Sequence, residues 1–97
     1  MQFLIIAYDG EDAGALDRRL AVRESHLRLS DEMKAKGELL YGVAILDQRG
    51  KMIGSMLVAE FDTEQALKAW LEKEPYVTGD VWEKIDILPC KVGPTFV

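Results

Sequence analysis

The chain has 97 residues, enough for one domain over residues 1–97, and its 48% hydrophobic and 30% charged composition is ordinary for a globular protein. A formal charge of −5 and a pI of about 4.8 argue against nonspecific partnership with nucleic acid or an anionic membrane. One cysteine, Cys90, excludes an internal disulfide and fits a cytoplasmic setting, and one Cys with one His argues against a zinc cage.

The N-terminal MQFLIIAY carries no basic leading segment and no small-residue cleavage site, so residues 2–8 read as a strand ending at the turn signal Asp9-Gly10. No stretch approaches membrane-spanning length. A helix is predicted over 12–36, with Asp12 as N-cap and Gly37 as the stop after Lys34 and Lys36. Arg19, Arg23, His26 and Ser30 fall within an arc of about 60° on this helix, at about 100° per residue. Leu16, Leu20 and Leu27 flank that line on one side, and Val22, Leu29 and Met33 on the other. A helix normally buries an unbroken apolar stripe. Two arginines and the only histidine inside it would cost several kcal/mol, roughly, if desolvated without partners, so the line is expected to border a polar crevice.

Residues 38–47 and 52–62 read as a hairpin turning at Asp47-Gln48-Arg49-Gly50. Asp62 or Thr63 caps a second helix over 63–73, with Ala66, Leu67, Trp70 and Leu71 at helical spacing. Pro75 ends it or begins a short turn, and a last strand spans about 83–92, interrupted at Pro89. The order βαββαβ is the ferredoxin-like α+β arrangement, an antiparallel sheet with two helices on one face. Three strands are apolar on both sides. Phe3, Ile5 and Ala7 oppose Leu4, Ile6 and Tyr8; Leu39, Tyr41, Val43 and Ile45 oppose Leu40, Ala44 and Leu46; Met56 and Val58 oppose Leu57 and Ala59. Two helices cover one face, and an exposed apolar patch of that size is a liability. A homodimer packed through the open sheet face is therefore expected.

His26 has the one side chain whose unperturbed titration lies near neutrality. Beside Arg19 and Arg23 a neutral imidazole is favoured, fit to act as a general base or to accept from a substrate hydroxyl. The arginines would hold an anionic or phenolate-like group. Asp9 and Glu74 are the candidate carboxylate partners. Turn chemistry alone also explains Asp9, and a solvated helix end explains Glu74. Both are expected at one end of the sheet, with His26 about 20 Å along the helix axis. Reaching them would take helical turns that overhang the sheet, or a second subunit. Ser55 and Tyr76 can offer hydroxyls, although packing explains either. Trp70 and Trp82 read as core or interface residues, and Cys90 as buried and inert. There is no Gly-rich phosphate loop, metal triad or nucleophile elbow.

Arg19-Leu20-Ala21-Val22-Arg23-Glu24-Ser25-His26-Leu27, Gly50 through Gly54-Ser55, Glu74-Pro75-Tyr76-Val77 with Gly79-Asp80-Val81, and Ile85-Asp86-Ile87-Leu88-Pro89 together resemble the YciI-like (YCII-related) family in order and spacing. The resemblance covers almost the whole chain. It implies a dimeric ferredoxin-like α+β barrel with an active site centred on a histidine and an aspartate. Related proteins include a dehydrochlorinase of a chlorinated hydroxyhydroquinone, and the wider fold group includes muconolactone isomerase. Where the family usually has Asp-Pro-Tyr or Asp-Pro-Phe, this chain has Glu74-Pro75-Tyr76, a carboxylate longer by one methylene.

The expected function is cofactor-free acid/base catalysis of the isomerase or dehydrochlorinase type, on a small hydroxylated aromatic or anionic molecule. His26 would be the acid/base, with Asp9 or Glu74 as its partner. Arg19 and Arg23 would bind substrate, with Ser55 and Tyr76 as minor contacts and no metal. The alternatives are a noncatalytic anion-binding dimer and a structural dimerisation domain with the polar line locked in internal ion pairs.

Overall fold

The computed structural model describes residues 1–96. Its elements are β1 (Gln2–Asp9), α1 (Ala15–Ala35), β2 (Leu39–Leu46), β3 (Met52–Glu60), α2 (Glu64–Lys73), α3 (Pro75–Thr78) and β4 (Trp82–Cys90), followed by a single 3-10 turn at Pro94–Phe96. The strands form one antiparallel sheet in the order β2-β3-β1-β4. This is the ferredoxin-like α+β fold expected from the chain order, with one more short helix. No described helix is long and apolar enough to cross a membrane.

Alternation along β1 sorts its side chains. Phe3, Ile5, Ala7 and Asp9 are buried on the helix-covered face, while Leu4, Ile6 and Tyr8 lie on the open one. Ile5 faces Leu57 and Ile87 on its two neighbours, and Ala7 faces Ser55 and Ile85. Phe3, Ile5 and Ala7 join Leu57, Ala59 and Phe61, and Met33, Leu67, Trp70, Tyr76, Val81 and Trp82, in one core.

The sheet has three register shifts, at Leu39/Tyr41, Ile45/Leu46 and Tyr8/Asp9, and the first and last of them decide what faces the interior. The first, between Leu39 and Tyr41, sets Leu39 opposite Ala59, on the helix side, whereas Tyr41 and Val43 oppose Val58 and Met56 on the open side. Leu39 therefore does not share a face with Tyr41, Val43 and Ile45. The last, between Tyr8 and Asp9, sets Trp82 rather than Glu83 opposite Asp9. An extra residue in one strand re-aims the side chains beyond it, and here it turns the Trp82 indole into the interior, where it is 5% exposed.

Helix α1 begins at Ala15 with Gly14 at the N-cap, so Asp12 is not the cap. The Asp12 carboxylate instead accepts from the Gly14 N–H and forms a two-pronged pair with Arg18, both contacts 2.8 Å. Gly37 closes the helix as expected. Its φ of +77° lets the Gly37 and Glu38 N–H groups return to Lys34 and Met33 carbonyls. Of the flanking residues, Val22, Leu29 and Met33 pack against the core, while Leu20 and Leu27 stay exposed. Thr63, not Asp62, caps α2, its hydroxyl accepting from the Ala66 N–H.

Glu74 ends α2 and caps α3, where its carboxylate accepts from the Tyr76 N–H. It is 1% exposed, not a solvated helix end. Proline at the first position of α3 turns the chain back against α1. A close approach at Gly79 keeps it there: a Cβ on that residue would lie 3.1 Å from Val22. Cys90, expected to be buried, is half-buried on the edge strand β4.

Candidate functional site

The polar line of α1 and the facing surface of β2 and β3 enclose a crevice of about 220 Å³. Arg19, Arg23, His26 and Ser30 line it from the helix, Gly42, Ala44, Ser55 and Leu57 from the sheet, and Tyr76 from α3. Arg19 and His26 are buried, Ser30 is half-buried and Arg23 is exposed.

The two candidate carboxylates part company. Glu74 Oε1 lies 2.5 Å from His26 Nδ1 and is shared with the Tyr76 N–H at 3.1 Å. Asp9 meets Arg19 instead, its two oxygens accepting from Nη1 at 3.0 and 3.1 Å. Arg19 and His26 are seven residues apart, about 10.5 Å along the helix. Asp9 and Glu74 therefore attach to different turns of α1. Glu74 reaches His26 within one chain, from the junction of α2 and α3, so this pair requires no second subunit.

His26 is clasped by rings. Tyr76 stacks on it with centroids 3.9 Å apart and planes inclined by 16°. Trp82 meets it edge-on at 6.2 Å. With Nδ1 taken by Glu74, Nε2 is the remaining nitrogen, and no partner among the described residues meets it. A proton on Nδ1, donated to the carboxylate, would leave an Nε2 lone pair free, the arrangement that suits a base.

Ser55 is 3% exposed, and its Oγ accepts from Arg19 Nη2 at 2.8 Å and from Trp82 Nε1 at 3.3 Å. Sequence reasoning placed Trp82 in the core or an interface and missed this link. Strand alternation carries no signal for it, because the bulge beside Asp9 is what aims the indole inward.

Burial pushes the Asp9 carboxyl up against the opposing pull of Arg19. Burial likewise pushes the Tyr76 phenol up, with Arg19 and Arg23 opposing. Among the described residues no Asp or Glu lines the crevice, although the chain as a whole carries −5. Among the described residues Arg23 makes no ion pair, so its charge is available at the mouth. Among the described residues no group of three or more His, Cys, Asp or Glu is placed to hold a metal ion.

A model of the YCII-related domain matches residues 1–91. The protein YciI of Escherichia coli O6:H1 is 31% identical over 94 residues, covering 91% of this chain and 96% of that one. An uncharacterised protein of Haemophilus influenzae is 34% identical over 97 residues, covering 94% and 97%. Among solved structures, a 5-chloro-2-hydroxyhydroquinone dehydrochlorinase from Burkholderia phenoliruptrix AC1100, in complex with 2,5-dihydroxybenzoquinone, superposes with a TM-score of 0.82. It is 23% identical, with 98% of each chain covered. A dimeric ferredoxin-like protein of unknown function from Jannaschia sp. CCS1 superposes with a TM-score of 0.57 at 14% identity, covering 94% of this chain and 98% of that one.

Proposed function

The chain belongs to the YCII-related family, and on that premise we propose that it is a cofactor-free acid/base catalyst acting on a small anionic or hydroxylated ring. The observation that carries this reading is the His26–Glu74 pair, set so that Nε2 is the free nitrogen on a crevice lined by basic and neutral groups only. Glu74 orients the imidazole, Nε2 takes a hydroxyl proton from the substrate, and Arg23 holds its negative charge. Ser55 and Tyr76 shape the wall.

Two proton-transfer outcomes suit such a site. In isomerisation the proton leaves one substrate atom and returns to another. In elimination the substrate gives a proton to Nε2 and expels a halide with its bonding pair, a net loss of hydrogen halide that needs no oxidant. The dehydrochlorinase with a similar fold is named for the second outcome. A positioned acid/base contributes about 10²–10⁴-fold, so the substrate must itself be reactive. A crevice of about 220 Å³ is of a size for one ring with its substituents.

We propose further that the protein is a homodimer through the open sheet face. That face carries Leu4, Ile6, Tyr41, Val43, Met56 and Val58, and Tyr41 and Val43 are 63% and 43% exposed. Patches of this kind mark protein interfaces.

The test is turnover of chlorinated hydroxyhydroquinones and small lactones, followed as halide and proton release or by the ultraviolet spectrum, in wild type and His26→Ala. Turnover abolished in His26→Ala with ligand binding kept supports catalysis. Binding of such rings with no turnover of any by the wild type leaves a noncatalytic anion site. Neither binding nor turnover overturns the reading in favour of a structural domain.

A further inference from the structure

Arg19 stands in the crevice wall and yet has little to offer a ligand. It is 3% exposed; Nη1 is spent on both oxygens of Asp9 and Nη2 on Ser55 Oγ. Its Nε is buried with no partner among the described residues. Arg23, one turn further on, is the exposed cation of the same line.

The guanidinium does have a neighbour. Its Cζ lies 4.6 Å from the centroid of the Tyr76 ring, the ring that also stacks on His26 at 3.9 Å. Two turns of helix, about 10.5 Å, separate the residues that touch this ring, room for one aromatic ring between a guanidinium and an imidazole. A second arm runs from Arg19 Nη2 through Ser55 Oγ to Trp82 Nε1. The Trp82 ring meets Tyr76 at 5.6 Å and His26 at 6.2 Å, both edge-on. The two arms leave the same guanidinium and converge on the same imidazole.

We infer that Arg19 is a positioning residue: fixed by Asp9 and Ser55, it presses Tyr76 against His26 and so sets the direction of Nε2. This deepens the catalytic reading and rests on it for its purpose, but the brace exists or fails by itself. Glu74 alone holds the imidazole at one atom, about which the ring can pivot. A flat ring on one face and an indole edge beside it remove that freedom without occupying Nε2. A flat, delocalised cation suits the task because its plane can stack on an aromatic face while its separate nitrogens serve Asp9 and Ser55 in a fixed fork. An ammonium group is drawn to a ring face as a point charge, without that plane or fork.

The test is NMR of the intact protein, with benzoate as an anion probe. Arg19→Met alone would strand the Asp9 carboxylate in the interior, so it is made together with Asp9→Asn; Arg19→Lys keeps the charge without the plane. Both are expected to shift the His26 ring protons, which feel the Tyr76 ring current, and to broaden or erase the downfield Nδ1 proton shared with Glu74. Tyr76→Leu should reproduce that change, and Tyr76→Phe, which keeps the ring, should not. Benzoate affinity should fall about tenfold in Arg23→Ala, the worth of about 1.4 kcal/mol, and much less in the Asp9→Asn/Arg19→Met protein. His26 signals unmoved in both Arg19 variants would overturn the inference. So would a loss of benzoate affinity in the double variant equal to that of Arg23→Ala, since Arg19 would then be a ligand-binding residue. If wild type binds no benzoate and turns over no ring, the catalytic reading falls, while the His26 signals still decide the brace.

Discussion

Glu74 Oε1 stands 2.5 Å from His26 Nδ1 and also caps the first N–H of the helix that carries Tyr76. One oxygen thus serves the imidazole and the backbone that brings the stacking ring to it. Glu74→Ala strips a partner from two buried groups at once. At about 1–3 kcal/mol for each unsatisfied group, a stability loss of about 2 kcal/mol or more is expected in denaturant unfolding. Glu74→Gln keeps volume and acceptor and should lose less stability, yet it should lose the downfield Nδ1 proton. Equal stability of Glu74→Ala and wild type would show that the carboxylate does not carry the junction.

Among the described residues Arg23 makes no ion pair and no carboxylate lines its crevice, so its charge is uncompensated there. Arg23→Ala should weaken small aromatic carboxylates about tenfold and leave the melting temperature nearly unchanged, because an exposed charge contributes little to stability. Wild-type affinity should also fall as salt rises, and the variant's should fall less. Calorimetric titration at two salt concentrations measures both.

Much of the fold was legible because burial writes a period into the sequence. Phe3, Ile5 and Ala7 alternate with Leu4 and Ile6, Gly37 marks the end of α1, and the polar line on α1 borders a crevice. The pairings were not legible. Which carboxylate meets which base depends on α3 turning back at Pro75 and on the packing of Gly79 against Val22. Neither has a periodic signature. The inward turn of Trp82 and the change of face at Leu39 follow from one-residue register shifts, which reverse alternation locally.

Burial raises the Tyr76 phenol above its usual value of 10.0. The folded state therefore keeps its proton when the unfolded chain has begun to lose it. Stability from this group is complete below about pH 10 and is lost as pH rises through the raised value. Tyr76→Phe retains the ring on His26 and Arg19 but has no proton to lose. Its melting temperature should fall less than that of wild type between about pH 8 and about pH 10.5. Parallel decline of the two proteins would show that folding does not raise the phenol.

Val43 sits opposite Met56 on the open face of the sheet and is 43% exposed. Tyr41, Val58, Leu4 and Ile6 share that face across three strands, opposite to the buried row of Phe3, Ile5 and Ala7. A chain of this size buries only about 60–70% of its unfolded surface, so a second copy on this face adds burial that the monomer lacks. Val43→Asp would bring a carboxylate into such a contact, where an unpaired charge costs several kcal/mol, roughly. In an isolated chain the same residue would point to water, and the substitution would be nearly silent. Sedimentation at micromolar concentration should therefore show a wild-type dimer and a Val43→Asp monomer that keeps the wild-type far-ultraviolet circular dichroism. A wild-type monomer would overturn the homodimer, and an unshifted dimer in Val43→Asp would move the interface away from this face.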